Sequence, residues 1–141
     1  MKTFVCHHTS DLKAPAQAII ELLKNYPVCL LYGEMGAGKT TLTVEICKIL
    51  GIESPVSSPT FTIINEYSGN KSRLIHVDLY RIIGQTELFN TGLEEYLYND
   101  DPCIIEWPEV ALSMIPLPYL KVEIKATTQD TREIDIEIID K

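Results

Sequence analysis

The sequence predicts a layered α/β fold, in which helices cover both faces of a largely parallel central sheet with some antiparallel strands. Three observations favour this class. The chain opens with two strand-like segments that each lead into a helical pattern, an order typical of parallel strands with crossover helices. The run 28–32 is continuously apolar, as in a strand buried on both faces. Two alternating segments near the C-terminus predict an antiparallel hairpin.

The first half of the chain alternates strands with helices. Residues 3–8 predict a first strand, and the polar residues 9–11 can cap the helix that follows. Apolar residues then recur at helical spacing until 25–27 end the helix. After the run 28–32 and a glycine-rich loop, residues 40–50 predict a second helix, because their apolar side chains fall on one face.

The second half of the chain predicts five further strands and one interrupted helix. The strands are predicted at 61–67, 73–78, 103–106, 117–125 and 132–139. Residues 68–71 read as the turn of a hairpin between the first two of these strands. A helix is predicted at about 86–98, with a break near Gly92.

The composition excludes several classes of protein. The 141 residues are enough for one domain with a substantial core, predicted here as 1–141. No run approaches about 18 apolar residues and the first residues lack a signal-peptide pattern, so we expect a cytoplasmic protein without a membrane span. The four cysteines form no C-x-x-C pair, which argues against a zinc ribbon or a thioredoxin-like site. Cys29 and Cys103 lie in apolar runs and are predicted to be reduced core residues.

The charge balance argues against direct binding of nucleic acid. The chain has 12 Lys and Arg against 20 Asp and Glu, a net charge of −8. Phosphate backbones are bound by clustered cations, and the sequence has only three arginines. We therefore expect no DNA binding, and contact with RNA only through a partner.

A phosphate-binding motif follows the run 28–32. Its residues, in the pattern G-x-x-x-x-G-K-[ST], are Gly33, Glu34, Met35, Gly36, Ala37, Gly38, Lys39 and Thr40. Glycines let the backbone wrap a polyphosphate, and the helix that begins near Lys39 points its positive end at the same phosphates. Lys39 can reach the β- and γ-phosphates, and the Thr40 hydroxyl can bind Mg²⁺. The motif predicts a P-loop NTPase-like fold that binds ATP or ADP with Mg²⁺.

Two acidic residues end strand-like segments and are candidates for the acid that works beside Mg²⁺ in P-loop proteins. Asp78 ends the segment 73–78, and Glu106 ends the run 103–106. The carboxyl ends of parallel strands converge on a phosphate site, which favours both residues. Periodicity does not choose between them.

Three further residues admit both a functional and a structural interpretation. Thr60 lies in the loop before the first acid, and either contacts a γ-phosphate as a switch residue or belongs to a rigid proline turn. Trp107 follows Glu106 directly, and either lines the nucleotide site or belongs to the core. We interpret His76 as a packed histidine rather than a catalytic one.

Four motifs together resemble one protein family. They are GEMGAGKTTL at 33–42, SSPTF at 57–61, HVDLYR at 76–81 and IEWPE at 105–109. In this order they are similar to TsaE, also called YjeE, the small bacterial P-loop ATPase of tRNA threonylcarbamoyladenosine synthesis. The resemblance covers almost the whole chain. It implies a cytoplasmic, Mg²⁺-dependent ATPase that binds the TsaB–TsaD pair, which modifies the adenosine next to the anticodon of some tRNAs.

The resemblance also implies roles for individual residues. The phosphates would be held by the segment from Gly33 to Thr41. The implied catalytic residues are Lys39, Asp78, Glu106 and Thr60, and the implied metal site comprises Thr40, Glu106 and Asp78. Trp107 would line the active site. The residues that would approach the nucleotide from outside the motifs are Thr9 or Ser10, and Arg132.

Two other functions are compatible with a P-loop. A small-molecule kinase usually carries a lid with several arginines for substrate phosphates, and no arginine-rich segment occurs here. A nucleotide-gated binding module without meaningful hydrolysis is not distinguished from an ATPase by the sequence. Only Arg81 among the arginines lies near a motif, so no internal arginine finger is evident. We therefore predict slow hydrolysis that partner proteins stimulate.

Overall fold

The structure, a computed structural model, describes residues 1–53, 55–57, 59 and 61–141. The strands are β1 Lys2–Cys6, β2 Val28–Gly33, β3 Ile64–Ser68, β4 Arg73–Asp78, β5 Cys103–Glu106, β6 Tyr119–Ala126 and β7 Arg132–Ile139. The α-helices are α1 Lys13–Leu23, α2 Lys39–Ile49, α3 Gly84–Asn90 and α4 Leu93–Leu97. Short 3₁₀ helices occupy Thr9–Leu12 and Pro108–Met114. The second of these was not predicted from the sequence.

The strands of the described residues lie in one sheet, in the order β1-β7-β6-β2-β5-β4-β3. The four central strands, β6, β2, β5 and β4, run parallel to one another, whereas the pairs β4–β3, β6–β7 and β7–β1 are antiparallel. The predicted α/β class is therefore confirmed. The register places Glu106 beside both Leu31 and Asp78, so β5 and β4 end level with one another, and β2 continues for two residues at the same edge of the sheet.

Helices cover both faces of this sheet, as predicted. Cys29 and Leu31 of β2 pack in a core shared with α1 and α2, on what we call the α1–α2 face. Val28 and Leu30 pack in a second core shared with α3 and α4, on the α3–α4 face. This alternation explains the continuous apolar run at 28–32. Burial of one such leucine contributes about 1.5–3 kcal/mol, so both cores stabilise the strands that carry the site.

The helices are short and have identifiable ends. α1 and α2 have 11 residues each, and the described ranges contain no helix that is both long and apolar enough to cross a membrane. The predicted break at Gly92, whose φ is 75°, separates α3 from α4. Before α1, the Asp11 carboxylate accepts hydrogen bonds from the backbone N–H groups of His7 and His8, at 2.9 and 3.0 Å. These bonds lower the pKa of the Asp11 carboxyl.

β3 begins at Ile64 and not at residue 61, so the prediction of a strand over 61–67 was wrong at its start. The chain turns first, and the Ile63 N–H donates to the Pro59 carbonyl at 2.7 Å. Ile63 has a left-handed φ of 72°, which is costly for a β-branched residue. Its carbonyl then accepts the Asp78 N–H at 2.9 Å. This turn therefore holds the backbone at the end of β4.

The four cysteines are free and buried. Burial raises the pKa of the Cys29 and Cys103 thiols to about 12. Both are neutral core side chains at physiological pH, as the sequence predicted.

Candidate functional site

The glycine-rich loop joins β2 to α2 at the edge where the parallel strands end. Gly36 and Gly38 have φ values of 81° and 108°, a conformation that side chains with a Cβ rarely adopt. A Cβ at Gly33 would lie 3.1 Å from the Ile124 carbonyl oxygen, so the loop passes close to β6. α2 starts at the end of this loop, where its unpaired N–H groups and positive dipole end favour an anion.

Lys39, the first residue of α2, is held at this edge by its own loop. Its ammonium donates to the Gly33 carbonyl at 2.7 Å and lies 3.9 Å from the centroid of the Trp107 ring. The side chain is only 7% exposed. Burial lowers the pKa of the Lys39 ammonium, while the charges of Glu106 and Asp78 oppose that shift. A cation is therefore placed at the phosphate-binding loop with acidic groups nearby.

A cavity of about 580 Å³ lies in front of this lysine. Its lining combines residues from the glycine-rich loop, from the ends of β4 and β5 and from the segments that follow them. The predicted site residues among them are Met35, Gly36, Gly38, Lys39, Thr40, Thr41, Asp78, Glu106 and Trp107. The structure thus brings together the phosphate-binding motif and both candidate acids, although Asp78 and Glu106 follow Lys39 by 39 and 67 positions in the sequence. Arg81 also lines this cavity.

Asp78 and Glu106 are neighbours on adjacent strands and lie on the α1–α2 face. Both are almost fully buried, at 4% and 2% exposure. An Asp78 carboxylate oxygen accepts the Tyr80 N–H at 2.8 Å. One Glu106 oxygen lies 2.5 Å from Nε2 of His76. Asp78 is thus bonded to a backbone N–H just beyond its own strand, and Glu106 contacts a side chain of β4.

Trp107 links the lysine to the strand end. Its backbone is left-handed, with φ 54°, which is a strained conformation for a large side chain. Its ring packs against that of Tyr80, with centroids 4.9 Å apart, as well as against the ammonium of Lys39. Of the two interpretations that the sequence left open, the geometry favours a side chain of the site.

A second cavity of about 310 Å³ lies on the other side of the loop. It is lined by Gly36, Gly38 and Thr41 of the motif, and also by Thr9 and Arg132. Arg132 is anchored there because its Nε donates to the Ala37 carbonyl at 3.0 Å. Ser10 lines a different cavity, so the structure places Thr9 and not Ser10 beside the motif.

Two predictions have other outcomes. Thr60 lies outside the described residues, so its role as a switch residue stays a prediction. Next to it, Phe61 is 80% exposed, and the Arg81 guanidinium lies 4.3 Å from the centroid of its ring. His76, which we interpreted as a packing residue, is buried but contacts Glu106 directly. The position of His76 in an apolar strand indicated a buried ring, but nothing in the sequence indicated that Glu106 would be its partner.

A glycine-rich loop between a buried parallel strand and a helix, with its lysine beside acids at the ends of neighbouring strands, defines a P-loop protein of the α/β class. Comparison with known proteins narrows this class. The family model described as "Threonylcarbamoyl adenosine biosynthesis protein TsaE" matches residues 6–134. The chain belongs to the TsaE family, whose role is in tRNA threonylcarbamoyladenosine biosynthesis.

Two relatives and one solved structure illustrate the match. The tRNA threonylcarbamoyladenosine biosynthesis protein TsaE of Bacillus subtilis (strain 168) is 39% identical over 124 residues, which are 88% of this chain and 77% of the relative. The protein of the same name from Aquifex aeolicus (strain VF5) is 39% identical over 111 residues, or 74% of this chain and 84% of the relative. The crystal structure of Bacillus subtilis YdiB superimposes on this chain with a TM-score of 0.81 and 32% sequence identity, and the match covers 98% of this chain and 85% of that one.

Proposed function

We propose that this protein is a Mg²⁺-dependent ATPase that binds the TsaB–TsaD pair and supports turnover in the threonylcarbamoyl modification of tRNA. The observation that carries the proposal is the cavity in which the loop lysine, Thr40 and the two buried acids lie together. Phosphoryl transfer needs positioning and charge neutralisation more than it needs covalent chemistry from the protein. These four side chains supply both functions.

The donor set at this cavity suits Mg²⁺. A hydroxyl and carboxylates are the hard oxygen ligands that this ion prefers. The described ranges contain no group of three or more His, Cys, Asp or Glu side chains that could hold a metal by themselves. Mg²⁺ normally takes one or two protein carboxylates and completes its shell with water and substrate phosphates. Thr40 and Glu106 would hold the ion, which would neutralise charge on the phosphates.

The remaining residues would orient the nucleotide around the ion. Lys39 would leave the Gly33 carbonyl and the Trp107 ring to bind the β- and γ-phosphates. Asp78, fixed by the Tyr80 N–H, would lie near the metal or the attacking water. Thr9 and Arg132 would contact the nucleoside side of the ligand, since they line the cavity on the other flank of the loop.

The partner proposal rests on family membership and on charge. At a net charge of −8 the chain offers few cations for RNA phosphates, so tRNA would be reached through TsaB–TsaD. We call the 580 Å³ cavity in front of Lys39 the phosphate-side cavity. Arg81 is the one arginine among the described residues that lines it, and its guanidinium lies over the Phe61 ring. We propose slow hydrolysis alone and faster hydrolysis in the complex, because the three arginines of the chain offer no evident internal arginine finger. The proposed setting is the cytoplasm.

The decisive experiment measures phosphate release from Mg·ATP by this protein alone, with TsaB–TsaD, and with EDTA. Slow release that the pair stimulates and EDTA abolishes is the expected result. Nucleotide-dependent binding of the pair without release would instead identify a nucleotide-gated binding module. ATP consumption that depends on an added small phosphate acceptor would identify a kinase.

The binding step has a label-free reporter. Trp107 is the only tryptophan, and the ammonium of Lys39 lies 3.9 Å from the centroid of its ring. Movement of this ammonium to the phosphates would change the emission of the indole. A saturable change on titration with Mg·ATP is expected, and a flat titration would contradict the placement of the nucleotide.

A further inference from the structure

A line of buried polar contacts leads away from Glu106 and ends at the loop that follows α2. The Glu106 carboxylate lies 2.5 Å from Nε2 of His76, and Nδ1 of His76 lies 3.2 Å from the Tyr67 hydroxyl. That hydroxyl donates to the Ser57 carbonyl at 2.7 Å. The line therefore connects the phosphate-side cavity with the segment that precedes β3.

The sheet holds the members of this line in place. His76 lies in the middle of β4, between β5, which carries Glu106, and β3, which carries Tyr67. Asn65, opposite His76 in the register, donates from Nδ2 to the Tyr67 oxygen at 3.2 Å. Three adjacent strands thus fix the positions of three side chains, and only the Ser57 end belongs to a loop.

Burial makes each contact in the line important. His76, Glu106 and Tyr67 are 0%, 2% and 4% exposed, so water does not replace a lost partner. A buried polar group left without a partner is far more costly than an exposed one. An imidazole ring also presents two nitrogens on different sides, and here each nitrogen faces one neighbour. No apolar side chain of similar size would join Glu106 to Tyr67.

We propose that His76 and Tyr67 are positioning residues that couple the orientation of Glu106 to the position of the loop at Ser57. The proposal rests on the proposed function in one respect, namely that Glu106 binds the Mg²⁺ of the nucleotide. A ligand that reorients Glu106 then changes the contacts of His76, of Tyr67 and finally of Ser57. Coupling of this kind is reciprocal, so a change at the loop also alters metal binding.

The first arm of the test needs no nucleotide. Amide hydrogen exchange at Ser57 is measured in the full chain, because the Ser57 N–H also contacts the Tyr67 hydroxyl, at 3.4 Å. Tyr67→Phe deletes the hydroxyl and keeps the ring, and we expect roughly tenfold faster exchange. Glu106→Gln, at the far end of the line, should accelerate the same amide by roughly threefold. Tyr26→Phe, the same change in a partly buried tyrosine elsewhere in the chain, should have no effect.

The second arm reads the coupling in the opposite direction. The Mg²⁺ concentration for half-maximal ATP binding is measured by Trp107 fluorescence in the wild type, in Tyr67→Phe and in Tyr26→Phe. We expect Tyr67→Phe to need at least about threefold more Mg²⁺, with unchanged nucleotide affinity in EDTA. A purely structural role would weaken both affinities together. In the double variant with Glu106→Gln, Tyr67→Phe should cause no additional shift.

The outcomes separate this proposal from the proposed function. Unchanged Ser57 exchange in Glu106→Gln, or an unchanged Mg²⁺ midpoint in Tyr67→Phe, would overturn the coupling while nucleotide binding stands. A wild type that binds no Mg·ATP would contradict the proposed function. The hydrogen-exchange measurement would still decide whether a change at Glu106 alters the protection of the Ser57 amide. If Tyr67→Phe fails to fold, His76→Gln replaces it, because its amide retains one of the two contacts.

Discussion

The α1–α2 face of the sheet and the α3–α4 face bury different kinds of side chain. The buried polar or charged residues of the described ranges are Lys39, Thr43, His76, Asp78 and Glu106. All of them belong to α2 or to positions of β4 and β5 that point to the α1–α2 face, and the core of the α3–α4 face contains none. At the ends of β4 and β5, the side chains that line the cavity in front of Lys39 thus alternate with side chains that pack in the α3–α4 core, so we expect binding and stability to depend on alternate residues there.

Binding and stability can therefore be changed separately within a single strand. Ile105 and Glu106 are consecutive, yet one packs among apolar side chains and the other faces the phosphate-side cavity. Successive side chains of a strand point to opposite faces, so a substitution at one position leaves the surroundings of the next largely intact. Each prediction below tests this separation.

The largest effect is expected on the α3–α4 face. Ile105→Ala removes a fully buried side chain from β5 and should lower the free energy of unfolding by about 2–5 kcal/mol. The Mg·ATP affinity of the folded fraction should stay within about twofold, because the cavity lies on the other face. Urea unfolding and the fluorescence titration give the two values, and Ile83→Ala, at an 82% exposed position, is the control. A tenfold loss of affinity would show that the faces are not independent.

Lys39→Ala should impair phosphate release and leave stability largely unchanged, which is the opposite of the result expected for Ile105→Ala. Phosphate release should fall by about 10²–10³-fold, since one preorganised charge at the phosphates is lost. Stability should change little, because relief of the burial that disfavours the charged ammonium offsets the loss of its contacts with the Gly33 carbonyl and the Trp107 ring. Lys48→Ala, at an exposed position of the same helix, should change neither property. Normal turnover by a folded Lys39→Ala protein would remove the P-loop assignment.

Substitutions of the two acids should have effects of intermediate size that differ in kind. Glu106→Gln should raise the Mg²⁺ concentration needed for nucleotide binding by about tenfold, as expected for a lost metal ligand. Asp78→Asn should reduce hydrolysis more than it reduces Mg·ATP binding, because this carboxylate would work near the attacking water. Mg²⁺ titrations and single-turnover assays measure these effects, with Glu95→Gln on the exposed side of α4 as the control. The reverse pattern would exchange the two roles.

The smallest effect concerns pH. Burial lowers the pKa of Lys39 in the folded protein below its ordinary value of 10.5. At pH values between the lowered pKa and 10.5, the unfolded chain therefore binds more protons than the folded protein. The wild type should therefore gain stability relative to Lys39→Met as the pH rises through this alkaline window. Urea unfolding at a series of alkaline pH values tests this sign, with Lys48→Met as the control. A relative loss of stability would contradict the direction of the shift.

The sequence predicted best those features that depend on neighbouring residues. The glycine-rich loop, the strand before it and the helix after it form one continuous segment, and its pattern reflects one local geometry. The break at Gly92 was predicted for the same reason. Asp78 and Glu106 were chosen because each ends a strand, and the register confirms that they are adjacent.

Features that depend on distant segments could not be predicted. The start of β3 depends on a turn in which Ile63 contacts both Pro59 and Asp78, and its left-handed backbone contradicts its intrinsic preference. The contact between His76 and Glu106 requires β4 to lie beside β5, which no local pattern contains. For the same reason the choice between Thr9 and Ser10 needed the structure.

Stability and function favour different residues at position 107. A left-handed φ of 54° costs a non-glycine residue on the order of 1–3 kcal/mol, and glycine would relieve that cost. Glycine would also remove the ring that faces the Lys39 ammonium, an interaction of about 0.5–2 kcal/mol. A library screened for heat resistance should therefore enrich glycine or asparagine at this position, whereas a library screened for growth that depends on the protein should keep tryptophan. Sequencing both survivor pools would reveal which pressure has shaped the position.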